Sequence, residues 1–286
     1  DARNYFYATA DDGSFDWLHD NNFFDVIRQK GEDLTQIRYK TPELEYMERM
    51  AGKEPKKVAD FMLTYDAKTN PNLETIDRFL WICTKLPAEQ LARVVVKMRD
   101  DEWLKIIGKF KRFAFGYKEM FETLENDDGA TLVLAEAILS VRGADDVERT
   151  SFGSIENPFR LSDLNYSGIF ERLATICDSS AEQALAVVSK TLKDVILLGE
   201  REDEVFEIGD TFPLFDIDFF ELKVGSERYH SSRDDVRDLA AVVKTLSQKL
   251  IGGSCDNPAE ARRLHNSYIA PLPRARSMWR LRLFVW

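Results

Sequence analysis

The chain has 286 residues, 44% hydrophobic and 31% charged, with 39 basic against 50 acidic side chains for a net charge of −11. That apolar share supports an extensive core, and the acidic balance excludes sequence-independent binding of a phosphate backbone over the whole surface. With 14 Gly and 9 Pro, the chain is too poor in turn-formers for a many-turned β-sandwich, a collagen or a low-complexity linker, so the expected class is all-α.

Helix signals start at Thr41-Pro42-Glu43-Leu44, where an N-cap, a first-turn proline and an acid precede an apolar stripe of Leu44, Met47 and Ala51, closed by Gly52. Pro55 opens the next helix, with Val58, Phe61, Met62 and Tyr65 on its inner face. After Asn70-Pro71, the residues Ile76, Phe79, Leu80 and Cys83 recur at i, i+3, i+4, i+7. Leu86-Pro87 starts a helix with Leu91, Val94, Val95 and Met98 inward. Trp103 to Leu124 reads as a longer helix kinked near Gly108 or Gly116. The series continues with 130–141, 164–176, 181–198, 234–251 and 258–268, and another helix begins at Pro273. Gly252 is expected to end its helix in a left-handed cap and Asn257 to cap the next.

Two stretches break the pattern. Residues 142–163 are polar and irregular and read as a long loop. Residues 204–224 (EVFEIGDTFPLFDIDFFELKV) are rich in Phe and Ile with Gly209 and Pro213 as breakers, which predicts two short strands or an irregular hairpin. The expected organisation is a helical block over 1–141, the loop, and a second block over 164–286 carrying that insertion. Because the chain lacks an initiator Met and stops inside the apolar run after Met278, the expectation is a segment of a longer protein whose array continues past residue 286.

Internal similarity accompanies the helices. The string YxxxFExL at 117–124 returns at 166–173, and Ile82-Cys83…Ala88-Glu89-Gln90…Val94-Val95 returns as Ile176-Cys177…Ala181-Glu182-Gln183…Val187-Val188. Leu91-Ala92-Arg93-Val94-Val95 is echoed by Leu239-Ala240-Ala241-Val242-Val243. One amphipathic hairpin cannot bury its apolar face alone, so stacked copies form a continuous core. On these strings, residues 41–286 resemble HEAT or armadillo-type α-solenoids. The resemblance implies stacked antiparallel helical hairpins that bind a protein or nucleic acid along one surface.

Catalytic motifs are sparse. No P-loop, GxGxxG after a strand, HExxH or GxSxG occurs, so no enzymatic activity and no cofactor is expected. Cys83, Cys177 and Cys255 are dispersed, which argues against a disulfide framework or a zinc site and for the cytoplasm; Cys83 and Cys177 read as core packing. No apolar stretch approaches the ~18 residues that a membrane span needs. Asp210, Asp216, Asp218 and Glu221-Leu222-Lys223 superficially resemble the Asp…Glu-x-Lys set of restriction-type nucleases, which implies a Mg²⁺-dependent site if Asp210, Asp218, Glu221 and Lys223 converge; an acidic hairpin edge is the plainer reading.

Two kinds of surface remain as interaction candidates. Phe206, Phe212, Phe215, Phe219 and Phe220 suit a docking insertion, and the segment 256–286, with six Arg against two acids, places Arg274, Arg276 and Arg280 beside it as partner contacts. Lys105, Lys109 and Arg112 fall at i, i+4, i+7 and could track phosphates, as in a nucleic-acid-sensing arm of a bacterial multi-component machine, with Asp100, Asp101 and Glu102 able to balance them. The leading expectation is a protein-interaction scaffold within a larger protein or complex.

Overall fold

The computed structural model describes residues 2–28, 41–108, 116–146, 157–161, 164, 166–199, 224, 232–254, 256–273 and 281–282. Among them the chain forms fourteen α-helices and no strand; Val141 and Phe159 make an isolated antiparallel bridge. The hairpin expected at 204–224 lies outside the described residues except for Val224, which sits in a turn. The chain divides into two compact units, Asp1–Ile138 and Leu139–Trp286.

The first unit opens with three short helices that the helix signals do not reach: α1 (Ala2–Thr9), α2 (Phe15–Asp20) and α3 (Asp25–Arg28). Seven more follow: α4 (Pro42–Met50), α5 (Pro55–Thr64), α6 (Leu73–Cys83), α7 (Ala88–Asp100), α8 (Trp103–Ile107), α9 (Tyr117–Thr123) and α10 (Asp128–Ile138). Prolines at the first turns of α4 and α5 cost no intrahelical bond. Asn72 caps α6 by accepting the Thr75 amide at 3.2 Å. The stripes Leu44/Met47/Ala51, Val58/Phe61/Met62, Ile76/Phe79/Leu80/Cys83 and Leu91/Val94/Val95/Met98 are all buried. Burial pushes the Cys83 thiol up, so it stays an unreactive thiol of the core.

Packing alternates along this unit. Helix α1 packs on α4, α4 on α6, α5 on α7, α6 on α8 and α7 on α10. The long helix expected from Trp103 to Leu124 is instead two helices, α8 and α9, with 109–115 outside the described residues. Glu102, left-handed at φ 56, turns the chain sharply from α7 into α8 and delivers Trp103 to the core. Stacked, edge-on and tilted ring pairs run through that core from Tyr46 to Phe24, Phe61, Phe79 and Trp103, with centroids 5.4–6.4 Å apart. Tyr65 closes the turn after α5, donating to the Asn70 carbonyl at 2.9 Å and accepting the Asn72 amide at 3.0 Å.

The second unit holds α11 (Ser167–Ala174), α12 (Ala181–Gly199), α13 (Ser232–Gly252) and α14 (Pro258–Leu264), which widens into a π-helical turn at His265–Ile269. Helix α13 is central, packed on α11, α12 and α14. Its Val236, Leu239, Ala240, Ala241, Val242, Val243 and Leu246 are all buried, more than one stripe, as a helix with three neighbours requires. The described parts of the 142–163 stretch contribute to this core: Phe159 lies 4.5 Å from the Tyr166 ring, and the Tyr166 hydroxyl donates to the Leu161 carbonyl.

Two local expectations need correction. Cys177 is exposed, because α11 ends at Ala174 and the residue sits on the turn before α12, where helical phase no longer applies. Gly252 is the last residue of α13, its φ is not left-handed, and a Cβ there would meet open space. Gly253 is the constrained position, since a Cβ there would come 2.7 Å from the Lys249 carbonyl oxygen. Asn257 does cap α14, accepting the Glu260 amide at 3.2 Å.

Candidate interaction surface

Residues 1–28 carry seven aromatic side chains, Tyr5, Phe6, Tyr7, Phe15, Trp17, Phe23 and Phe24. Helix phase and one turn sort them into an inward and an outward set. In α1, Arg3 and Tyr7 are one turn apart and share the face toward α4, which leaves Phe6 and Tyr5 on other faces. In α2, Phe15 and Leu18 point inward at i, i+3, and Trp17 faces away. Asn22, left-handed at φ 62 as Asn readily is, reverses the chain so that Phe24 is buried and Phe23 is not.

The outward rings meet. Trp17 and Phe23 have centroids 5.1 Å apart, and Phe23 and Phe6 6.3 Å apart. They remain 54%, 42% and 40% exposed, and the neighbouring Tyr5 is 73% exposed. A contiguous row of large rings left open to solvent is the kind of patch that marks a binding site, whereas scattered single apolar residues need no explanation.

The row rests on a rigid base. Arg3 grips Glu43 through two hydrogen bonds of 2.9 and 2.8 Å, and the Glu43 side chain is 3% exposed. Burial and the nearby Glu43 carboxylate push the Tyr7 hydroxyl up, and that hydroxyl reaches the Phe23 carbonyl at 3.3 Å. Tyr46 donates to the Asp11 carbonyl at 2.7 Å, and Arg49 donates to the carbonyls of Tyr7 and Ala10. Arg3→Ala strands a buried carboxylate. With the guanidinium half-exposed, the expected loss is about 1–3 kcal/mol, between a surface pair and a fully buried one. Urea unfolding of Arg3→Ala and of Arg3→Ala with Glu43→Gln checks this, because the second change restores most of the loss.

The residues singled out from sequence fare differently. Phe206, Phe212, Phe215, Phe219, Phe220, Arg274, Arg276, Arg280, Lys109 and Arg112 lie outside the described residues, as do Asp210, Asp216, Asp218, Glu221 and Lys223. Lys105 is described, and its ammonium is held by the Glu102 carboxylate at 3.0 and 3.1 Å. Of the C-terminal arginines, Arg263 clamps Glu182 and Glu260, and Arg282 is buried with its Nη2 donating to the carbonyls of Ala270, Leu272 and Pro273. Both serve the fold. Among the described residues, no three His, Cys, Asp or Glu side chains gather as a metal site, and no helix is long and apolar enough to cross a membrane.

Set beside protein-family models, curated proteins and solved structures, the chain matches none of them.

Proposed function

We propose that the chain is a helical protein-interaction module that docks a partner protein on the Phe6–Phe23–Trp17 row. The observation that carries this reading is the contact of three large rings held open to solvent on a hydrogen-bonded base. Trp and Phe bury large areas at low entropy cost and dominate the energetic centres of interfaces. The alternating packing of α4 on α6 and α5 on α7 is what stacked hairpins produce, and it supports the finer reading of a HEAT-like arrangement; a scaffold role inside a larger assembly in the cytoplasm is part of the same proposal. The nucleic-acid-sensing alternative draws less support, because only Lys105 of its three bases is described, and it pairs with Glu102.

A photo-crosslinking amino acid at position 17 tests the reading in cells, with one at the exposed Lys68 as control. The expected result is a discrete adduct from position 17 alone that disappears when Phe6 and Phe23 are changed to Ala. With the adduct's protein purified, Trp17→Ala plus Phe23→Ala should weaken its binding by about 100-fold or more. Equal labelling from both positions, or unchanged binding, defeats the reading.

A further inference from the structure

We infer that the Phe6–Phe23–Trp17 row receives a cationic amphipathic segment of its partner, whose apolar side chains cover the rings while Arg or Lys side chains meet the aspartates around them. The inference rests on the interaction-module reading and adds the chemistry of the partner.

Charge is the first argument. Residues 1–28 hold six Asp against two Arg, a local net of −4. Among the described residues, four cations of this region are engaged within the chain. Arg3 holds Glu43, and Arg28 lies over the Phe61 ring at 4.7 Å and donates to Thr64. Arg49 lies over Tyr46 and bonds two carbonyls, and Lys57 pairs with Asp16 at 2.8 Å. The acids, by contrast, face water: Asp11 and Asp12 are exposed, and the side chains of Asp16 and Asp20 are 66% and 76% exposed even with their partners Lys57 and His19 in place. Tyr46 senses this field. Burial pushes its hydroxyl up to about 12, with Arg49 opposing and Asp11, Asp12 and Asp16 adding to the rise.

Shape is the second argument. Ring centroids spaced 5.1 and 6.3 Å apart match the roughly 5–6 Å between neighbouring side chains at i, i+3 and i, i+4 on a helix. A partner helix can therefore seat successive apolar side chains on successive rings. Its flanking guanidinium or ammonium groups then reach Asp12 and Asp20, or lie over the open face of Trp17. Phosphates of nucleic acid or of anionic lipid meet the same aspartates as like charge, so the surface selects against both.

The probe is a fluorescent helical peptide of about 18 residues, long enough to hold a helix, with Leu on one face and Arg and Lys on the other, and a twin with Gln for every Arg and Lys. At low salt the cationic peptide should bind at least about tenfold more tightly than its twin, and half-molar salt should erase the difference. Trp17→Ala with Phe23→Ala should weaken it by about tenfold or more, and Asp12→Asn with Asp20→Asn by roughly three- to tenfold. Glu122→Gln with Glu125→Gln, at two exposed acids elsewhere in the unit, should leave binding unchanged, which separates this surface from the general negative charge.

Equal affinity for peptide and twin, both lost with the aromatic pair, overturns the cationic partner and leaves the docking surface standing. Cationic binding that survives the aromatic pair overturns the placement. Patch-dependent binding to phosphatidylserine vesicles or to a single-stranded 20-mer, or a dimer in sedimentation that dissolves on Trp17→Ala, overturns the occupant. Failure of both peptides to bind also overturns the inference, while cross-linking from position 17 decides the module reading separately.

Discussion

Replacing Trp103 with Ala lowers the stability of the first unit by about 3–5 kcal/mol, whereas replacing it with Phe costs no more than about 1.5 kcal/mol. The indole is fully buried and packs against Phe79 and Tyr65, with centroids 5.7 and 6.3 Å away. Truncation removes that area and leaves a void at the end of the aromatic core, which the short helix α8 cannot close by shifting without dragging Leu104 and Ile107. Phe keeps a ring against Phe79 and gives up part of the indole's area. It also removes the Nε1–H, which is buried and has no hydrogen-bond partner among the described residues. An unmet buried donor is worth about 1–3 kcal/mol, and that gain offsets most of the lost packing. Urea denaturation followed by far-UV circular dichroism measures both variants. A Phe variant as weak as the Ala variant would show that the indole N–H is bonded after all.

The contrast between Trp103 and Trp17 explains how far the sequence carries. From residue 41 onward, helix starts are written in local chemistry: Thr41-Pro42, Glu54-Pro55, Asn72 and Asn257-Pro258 each precede an observed helix. Helices of nine residues or more repeat their apolar stripe at least twice, so their inward faces can be read directly. The segment 1–28 lacks that redundancy. Helices α1, α2 and α3 span eight, six and four residues, too short for a 3.6-residue period to repeat clearly. Aromatic density there was a usable signal, but which rings turn outward depends on the left-handed Asn22 and on contacts with α4, neither of which a local pattern encodes.

The same limit explains one mistaken reading. The string Leu-Ala-Thr-Ile-Cys at 173–177 looks like one apolar run, yet the chain leaves α11 at Ala174 and Cys177 turns out to water. Tyr166-to-Leu173 and Tyr117-to-Leu124 are similar strings, and both fall on short helices with a buried Phe, Phe170 and Phe121. Similar letters thus yielded similar local structure. The Phe-rich insertion and the arginines at 274–280 were singled out by composition and lie outside the described residues.

The second unit loses stability as pH rises from about 4 to 7, and Asp235→Asn abolishes that loss. Asp235 lies in the first turn of α13, where its carboxyl is pushed up to about 7. Burial is the main cause, and the neighbouring Asp238 and Asp234 add to it. A backbone amide of Tyr166, at the start of α11, donates to the carboxylate and pulls the other way. In the unfolded chain an aspartate titrates at about 3.9. Between about 4 and 7, then, the folded state holds a proton that the unfolded state has released, and each step up in pH favours unfolding. Above about pH 7 both states are ionised and the loss levels off at roughly 2–4 kcal/mol, the lower end reflecting partial solvent access. Asn presents the same Oδ1 to the Tyr166 amide without the charge, so the variant should match the parent near pH 4 and exceed it by that amount at pH 8. Glu182 acts with the opposite sign. Arg263 and then Tyr268 hold its carboxylate below the usual range, so its contribution is present above the unfolded value and disappears as pH falls. Urea midpoints of parent and Asp235→Asn across pH 4–8 separate the two, because Asn at 235 removes the neutral-pH slope and leaves the acid one. An Asn variant less stable than the parent at pH 8 would mean that the Tyr166 amide outweighs burial and that the carboxylate is ionised throughout.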